Sequence, residues 1–218
     1  MKIKFPFYNS TPIFSESIYK EFLRYLQPPF HYKEKSKEIV YTNQQAKIIV
    51  SEAGKNEKIR GVAGSGKTMV LAKRAVNVHK RHGEEVLILT FNITIKSYIH
   101  DKINQVREDF SWSAFQINNY HQFINMQLSE FGIPIDIPNN EEILRHYNYD
   151  IYEYLDKEYY SNTSIFDRSN ISEEEKQRFR YNTILIDEIQ DYKSEWINII
   201  KNNFLSDNGE IALFGDEK

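Results

Sequence analysis

The chain has 218 residues, with 28 Lys and Arg against 31 Asp and Glu, and it contains no Cys. The lack of Cys excludes disulfides and thiolate metal sites, and no apolar run is long enough to predict a membrane span. The amino terminus lacks an apolar segment followed by a cleavage site, so we expect a cytoplasmic protein without a membrane partner. The net charge of −3 gives no overall attraction to nucleic acid, and such a partner would need a local basic groove.

Residues 1–40 form a prefix that is rich in aromatic residues and proline. Within it, residues 15–27 carry apolar side chains at helical spacing, and the pattern ends at Pro28 and Pro29. We interpret the prefix as an accessory element without an assigned role.

Residues 41–50 have the pattern of a helix start. Thr42 is placed to cap the helix and Gln45 stands three residues later, which is the spacing of a capping box. A glutamine amide can also pair with both the N6 donor and the N7 acceptor of adenine. The local pattern alone favours capping, and the loop that follows favours adenine recognition by Gln45.

The loop in question spans residues 61–68 and fits the phosphate-binding pattern G-x-x-x-x-G-K-[ST] at every constrained position. Its glycines allow successive backbone N–H groups to converge on a polyphosphate. Lysine supplies a positive charge for the β- and γ-phosphates, and threonine supplies a hydroxyl ligand for Mg²⁺. The predicted ATP-binding residues here are Gly61, Val62, Ala63, Gly64, Ser65, Gly66, Lys67 and Thr68.

Predicted strands and helices alternate on both sides of this loop. Such alternation predicts an α/β fold with a parallel sheet flanked by helices. The predicted strands are residues 58–62, 85–91, 115–120, 181–186 and 210–214, and the predicted helices are 69–81, 92–106, 121–131 and 194–204.

Residues 132–180 interrupt the alternation. They contain Pro134 and Pro138, a Tyr-rich stretch over 141–160, and an acidic run near residue 174. We interpret the segment as a small, mainly helical insertion between two strands of the sheet.

Asp187 and Glu188 directly follow the apolar strand 181–186. Asp187 is predicted to hold Mg²⁺ together with Thr68, mostly through water. Glu188 is placed to deprotonate the water that attacks the γ-phosphate, with Lys67 and Asp187 as the other catalytic residues. A carboxylate base beside the γ-phosphate favours an ATPase over a small-molecule kinase, because hydrolysis would compete with transfer.

These segments, in this order, resemble superfamily 1 DNA helicases of the UvrD/Rep type. The resemblance rests on YTNQQAKII, GVAGSGKT, VLILTFN, NYHQF, ILIDEIQD and FGD, and it covers residues 41–218 except the insertion. It implies a RecA-like domain formed by residues 41–131 and 181–218, with 132–180 as a helical insertion subdomain. It also implies that Gln190 and Asp216 belong to the nucleotide site.

The resemblance further implies a single-stranded DNA partner that is contacted by Phe91, Asn92, His121 and Phe123. The family usually has Thr where this chain has Asn119. Without the resemblance, the core interpretation of Phe91 is favoured, although an aromatic ring at the carboxyl end of a strand can also stack on any base. His121 at a helix start is more often a capping or packing residue.

In the family a second RecA-like domain completes the ATP site and the DNA track. No second phosphate-loop pattern follows Asp216, so we expect the chain to be the amino-terminal part of a longer helicase or translocase. The alternative is a P-loop ATPase switch in which ATP binding controls partner docking. A degenerate module for protein contacts is disfavoured because the predicted catalytic and metal-binding residues are intact, namely Lys67, Thr68, Asp187 and Glu188.

Overall fold

The computed structural model describes residues 39–106 and 110–216. Five strands form one all-parallel sheet in the order β1-β5-β4-β2-β3, which confirms the α/β fold. The strands are β1 (Asn56–Arg60), β2 (Val86–Thr90), β3 (Phe115–Asn119), β4 (Tyr181–Ile186) and β5 (Leu205–Gly215). The helix predicted over 15–27 lies outside the described residues.

The helices connect the strands and cover both faces of the sheet. Before the insertion they are α1 (Asn43–Ile49), α2 (Lys67–His82), α3 (Ile93–Gln105) and α4 (Tyr120–Glu130). Later helices are α5 (Glu141–His146), α6 (Ile151–Leu155), α7 (Glu173–Lys176) and α8 (Ser194–Phe204).

Alternate residues of each strand face opposite sides of the sheet, so the sheet separates two hydrophobic cores. Leu87 and Leu89 of β2 pack with α4 and α8 in one core, whereas Val86 and Ile88 pack with α2 and α3 in the other. Every residue of β2 is buried, as expected for an inner parallel strand covered on both faces. This arrangement brings the carboxyl ends of β1, β5, β4 and β2 to one edge.

Most predicted elements lie within one or two residues of the observed ones, and β4 and α8 match at both ends. The first strand is a correction: it spans Asn56–Arg60 instead of 58–62. Gly61 and Val62 leave the strand because they already belong to the phosphate loop. The last strand begins at Leu205, earlier than the predicted 210, directly after α8 ends.

The insertion is helical but shorter in its pieces than predicted. Asn148 and Tyr149 adopt positive φ of 51° and 59°, a conformation that breaks the stretch 141–160 into α5 and α6. Its later part is not separate from the α/β domain. Ile165 and Phe166 are fully buried in the same core as Leu87.

Among the described residues, no helix combines the length and apolar character that crossing a bilayer requires.

Candidate nucleotide site and neighbouring aromatic surface

The phosphate loop runs from the end of β1 to the start of α2, at the carboxyl edge of the sheet. The Gly61 N–H donates to the Gly215 carbonyl (3.2 Å), which fixes the loop to the end of β5. Gly64 and Gly66 adopt positive φ of 79° and 83°, which a residue with a Cβ atom would resist. A Cβ atom at Gly61 would lie 2.7 Å from Ser65 Oγ, so a side chain there would require the Ser65 hydroxyl to move. The loop conformation therefore explains why glycine occupies positions 64 and 66.

Lys67 is the first residue of α2, and its ammonium is held at the mouth of the loop. Its Nζ donates to the carbonyls of Gly61 (3.0 Å) and Val62 (3.1 Å). It also forms an ion pair with Asp216 Oδ1 at 2.5 Å. The predicted contribution of Asp216 to the site is thus a direct contact with the loop lysine.

Thr68 and Asp187 lie together, as the predicted pair of magnesium ligands requires. The Thr68 hydroxyl donates to Asp187 Oδ2 (3.1 Å). Asp187 is 1% exposed and follows β4, where its N–H donates to the Leu89 carbonyl (2.9 Å). Burial and the neighbouring Glu188 charge raise the pKa of Asp187 to about 6, although the Thr68 hydrogen bond opposes this. The carboxylate is therefore placed where a cation would favour its charged form.

Glu188 adopts left-handed backbone angles, with φ at 55°. Such angles are unfavourable for a residue with a Cβ atom and are found where the surrounding structure imposes them, often at functional sites. Its N–H donates to Asp187 Oδ1 (3.1 Å), and its carboxylate accepts a hydrogen bond from the Gln190 amide. The other end of that amide accepts from the Asp216 N–H (3.1 Å). Gln190 therefore links the predicted base to Asp216 and so to Lys67.

Gln45 forms the capping box and also reaches the phosphate loop. Its Oε1 accepts from the Thr42 N–H (2.9 Å), and its own N–H donates to Thr42 Oγ1 (3.2 Å). Its Nε2 donates to the Ser65 carbonyl (2.9 Å). Each amide atom can still make one further hydrogen bond, so capping and adenine recognition do not exclude each other.

These residues fit Mg-ATP on two structural grounds. The positive φ angles of Gly64 and Gly66 belong to the left-handed backbone conformation that is found in anion-binding turns. The Thr68 hydroxyl and the Asp187 carboxylate, 3.1 Å apart, are oxygen donors of the kind that Mg²⁺ prefers. Adjacent to Lys67, they can hold a divalent cation against a bound polyphosphate.

Phe91 and Asn92 follow β2, the strand beside β4. Phe91 is 42% exposed, so the interpretation of Phe91 as a core residue does not hold. Its ring stacks on Trp196, with centroids 6.2 Å apart and an interplanar angle of 18°. The exposed Asn92 caps α3, because its Oδ1 accepts from the N–H and hydroxyl of Thr94 (both 3.0 Å).

His121 lies near Phe91 because both pack against Trp196. Its ring makes edge contacts with Trp196 (4.9 Å) and Tyr160 (4.7 Å), so it has the packing role that its position at a helix start suggested. Burial lowers the pKa of His121, although Asp156 acts in the opposite direction. The imidazole is therefore mainly neutral near pH 7 and can offer a ring surface or a hydrogen bond to a partner.

Phe123 corrects a prediction. Its side chain has no exposed surface and packs edge-on against Phe204 (5.0 Å) and Tyr181 (6.3 Å) in the core. A ring without exposed surface cannot stack on a base, so we remove Phe123 from the candidate nucleic-acid contacts. Asn119 is also occupied within the protein, since it is nearly buried and its Oδ1 accepts from the Gln122 N–H (2.8 Å).

Three aromatic residues beside this surface were not predicted. Tyr120 stacks on Trp196 at 4.4 Å with an interplanar angle of 10°, and Tyr192 contacts both rings edge-on. Trp196 Nε1 donates to the Ser161 hydroxyl (2.9 Å), which ties the insertion to this cluster. The sequence predicted a helix over residues 194–204, but no local pattern indicates which rings Trp196 meets.

Comparison with known proteins gives a family match. A family model described as an AAA domain matches residues 44–218, which include the phosphate loop and every strand of the sheet. No curated protein matches the chain significantly. The match covers most of the chain and ends beyond Asp216.

Proposed function

The chain belongs to the AAA domain family of P-loop ATPases, and from this premise we propose that it is the first motor domain of an ATP-dependent DNA helicase or translocase of the UvrD/Rep type. Its partners in this proposal are single-stranded DNA and a second RecA-like domain. Its cofactor is Mg²⁺, and ATP is the substrate that it hydrolyses.

One observation carries the proposal: the candidate ATP residues and an exposed aromatic ring lie at the ends of neighbouring strands. Asp187 follows β4, Phe91 follows β2, and these strands pair directly. The Asp187 N–H donates to the carbonyl of Leu89, two residues before Phe91. A change at the phosphates therefore has a short path to the surface where a base could stack.

The chemistry follows from the residues at the loop. Lys67 neutralises charge on the β- and γ-phosphates, and this requires its ammonium to exchange contacts with Asp216 or the loop carbonyls for phosphate oxygens. Thr68 and Asp187 would hold Mg²⁺, which would supply further positive charge to the phosphates. Glu188 accepts a proton from the attacking water, whose oxygen bonds to the γ-phosphorus as the bond from that phosphorus to the bridging oxygen breaks, and ADP and phosphate form. Gln190 orients the Glu188 carboxylate for this step.

The nucleic-acid part of the proposal rests on Phe91, with Asn92 and His121 beside it. An exposed ring on a rigid aromatic support can stack on any base, which suits a motor that must not read sequence. The chain is slightly acidic overall, so we expect weak and salt-sensitive binding.

The test uses residues 1–218 in three assays: anisotropy with a labelled oligo-dT, phosphate release, and strand displacement on a tailed duplex. We expect salt-sensitive oligo-dT binding, feeble ATP hydrolysis and no unwinding, because one domain supplies half of the DNA track. In the UvrD/Rep type of helicase that this chain resembles, the second RecA-like domain also contributes arginines to the ATP site. Related enzymes gain about 10³–10⁵ in rate from such an arginine.

Robust unwinding by this chain would contradict the two-domain proposal. If ATP binds but oligo-dT does not bind even at low salt, the result would favour an ATP-controlled switch for partner docking.

A further inference from the structure

Arg74 is an arginine without exposed surface, and the ATP chemistry does not use it. It lies in α2, two turns beyond the phosphate loop. Burying a guanidinium is costly unless charged and hydrogen-bonding partners compensate for the lost water. The partners of Arg74 come from three other elements, which is unusual for a residue needed only to fill space.

Two of the partners are acids on the strands that lead into the site. Arg74 Nη2 pairs with Glu57 of β1 at 2.6 Å and lies 3.8 Å from the fully buried Glu210 of β5. β1 continues into Gly61, and β5 ends at Gly215, which contacts the loop. Thr183 and Arg81 also contact Glu210, both at 3.1 Å, and so keep its carboxylate in place.

The third partner is the carboxyl end of α1. Arg74 Nη1 donates to the Ile48 carbonyl (2.9 Å), one helical turn after Gln45. Arg81 continues this attachment by donating to the Ser51 carbonyl (2.7 Å).

α1 depends on such attachments because it is short. It has seven residues, of which only Ile49 is buried, and a helix of this length is not stable alone in water. The hydrogen bonds from α2 therefore do much to fix where α1 lies. At its other end, Gln45 donates to the Ser65 carbonyl of the loop (2.9 Å).

We propose that Arg74 is a positioning residue for base recognition: it fixes α1 to α2, β1 and β5 so that the Gln45 amide faces the nucleotide. This inference rests on the proposed role of Gln45 in recognising adenine. It adds a remote residue that controls base selectivity without touching the nucleotide. Phosphate affinity is set by the loop, so it should not depend on Arg74.

The test is Arg74→Lys in the full chain. Lysine keeps the positive charge beside Glu57 and Glu210, but its single nitrogen cannot replace two guanidinium nitrogens that serve different partners. Dissociation constants for ATP, GTP and inorganic tripolyphosphate are measured by competition with a fluorescent ATP analogue in the presence of Mg²⁺. We expect the ATP preference over GTP to fall by about tenfold, as after loss of a two-point contact to a base. Tripolyphosphate affinity should stay within about twofold, as expected for an independent site.

Arg180→Lys is the matched control. Arg180 likewise donates to a main-chain carbonyl (Leu205, 3.1 Å) and pairs with an acid (Asp207, 3.0 Å), but it lies away from α1. Its substitution should leave the ATP preference unchanged. If Arg74→Lys fails to fold, Glu57→Gln removes one partly exposed partner and should lower the preference in the same direction by a smaller factor.

Further variants distinguish a failure of this inference from a failure of the proposed function on which it rests. Gln45→Ala should lower the ATP preference, and Arg74→Lys should then have no additional effect on it. The positioning role alone would be overturned if Gln45→Ala loses the preference for ATP over GTP while Arg74→Lys and Glu57→Gln keep it. Additive losses in the double variant would also overturn it. Absence of ATP binding would overturn the proposed function together with this inference, and ATP binding without base preference would overturn adenine recognition and this inference.

Discussion

Two neighbouring regions differ in how far their residue types determine their roles: the nucleotide edge, formed by residues 61–68 and Asp187, and the aromatic surface beside it, formed by Phe91 and His121 on Trp196. At the nucleotide edge, the backbone geometry of residues 61–68 requires glycine at fixed positions, and the Thr68–Asp187 contact follows from the fold. At the aromatic surface, Phe91 is half-exposed whereas Phe123 is in the core. A positive φ angle by itself explains why glycine is present, but an aromatic residue is equally suited to a core position and to contact with a ligand.

The largest expected effect is at the nucleotide edge and concerns Glu188. Glu188→Gln keeps the side-chain shape but removes the base, so we expect ATP hydrolysis to fall by about 10²–10⁴-fold. Mg-ATP binding should persist. Single-turnover phosphate release at high protein concentration measures the rate, with Glu173→Gln on the surface as the control. A variant as fast as the parent would show that Glu188 is not the base.

The second prediction compares the two phenylalanines. Phe123→Ala opens a cavity between β4 and α8 and should lower the free energy of unfolding by about 3–5 kcal/mol. Phe91→Ala should destabilise the fold less, because the residue is 42% exposed, and should weaken oligo-dT binding by about 1–3 kcal/mol. Urea unfolding and oligonucleotide anisotropy measure the two effects.

Phe123→Leu, which retains an apolar core side chain, is the control for DNA binding and should leave the oligo-dT affinity unchanged. Equal DNA affinity in Phe91→Ala and the parent would remove Phe91 from the interface. The nucleotide edge would then keep its proposed function, and the aromatic surface would have only a packing role.

Features that depend on short stretches of sequence could be predicted, whereas features that depend on contacts between distant residues could not. β4, α8 and the phosphate loop follow from short patterns, and the structure agrees with them. The role of Phe123 was predicted wrongly, because a residue two positions from His121 in a helix faces another direction, and local spacing does not say which direction is the core. The contacts of Arg74 join residues distant in sequence. One signal was present: Arg74 stands four residues from both Val70 and Val78, on the apolar face of a helix.

The smallest expected effect is the pH dependence that Glu57 contributes to stability. Burial alone would raise the pKa of Glu57, but its contacts with Arg74 and Lys55 outweigh burial and hold the pKa below the usual 4.5. A carboxyl whose pKa is lower in the folded state stabilises the fold above its unfolded pKa and loses this contribution as the pH falls through the folded value.

Glu57→Gln should therefore be less stable than the parent near pH 7, by on the order of 1 kcal/mol, and the difference should shrink below about pH 4.5. Thermal unfolding across this pH range measures it. A difference that does not change with pH would contradict the ion-pair explanation.

The central claim is that residues 61–68 and Asp187 form a Mg-ATP site, and calorimetric titration of Mg-ATP into the parent and Lys67→Ala tests it most directly. Lys67 faces the loop mouth and is the charge that the phosphates would meet. We expect saturable binding by the parent and affinity at least about tenfold weaker in the variant, since hydrogen bonds to charged groups contribute about 1.5–3 kcal/mol. Circular dichroism would verify that the variant is folded. Equal affinity of the folded variant and the parent would contradict the site.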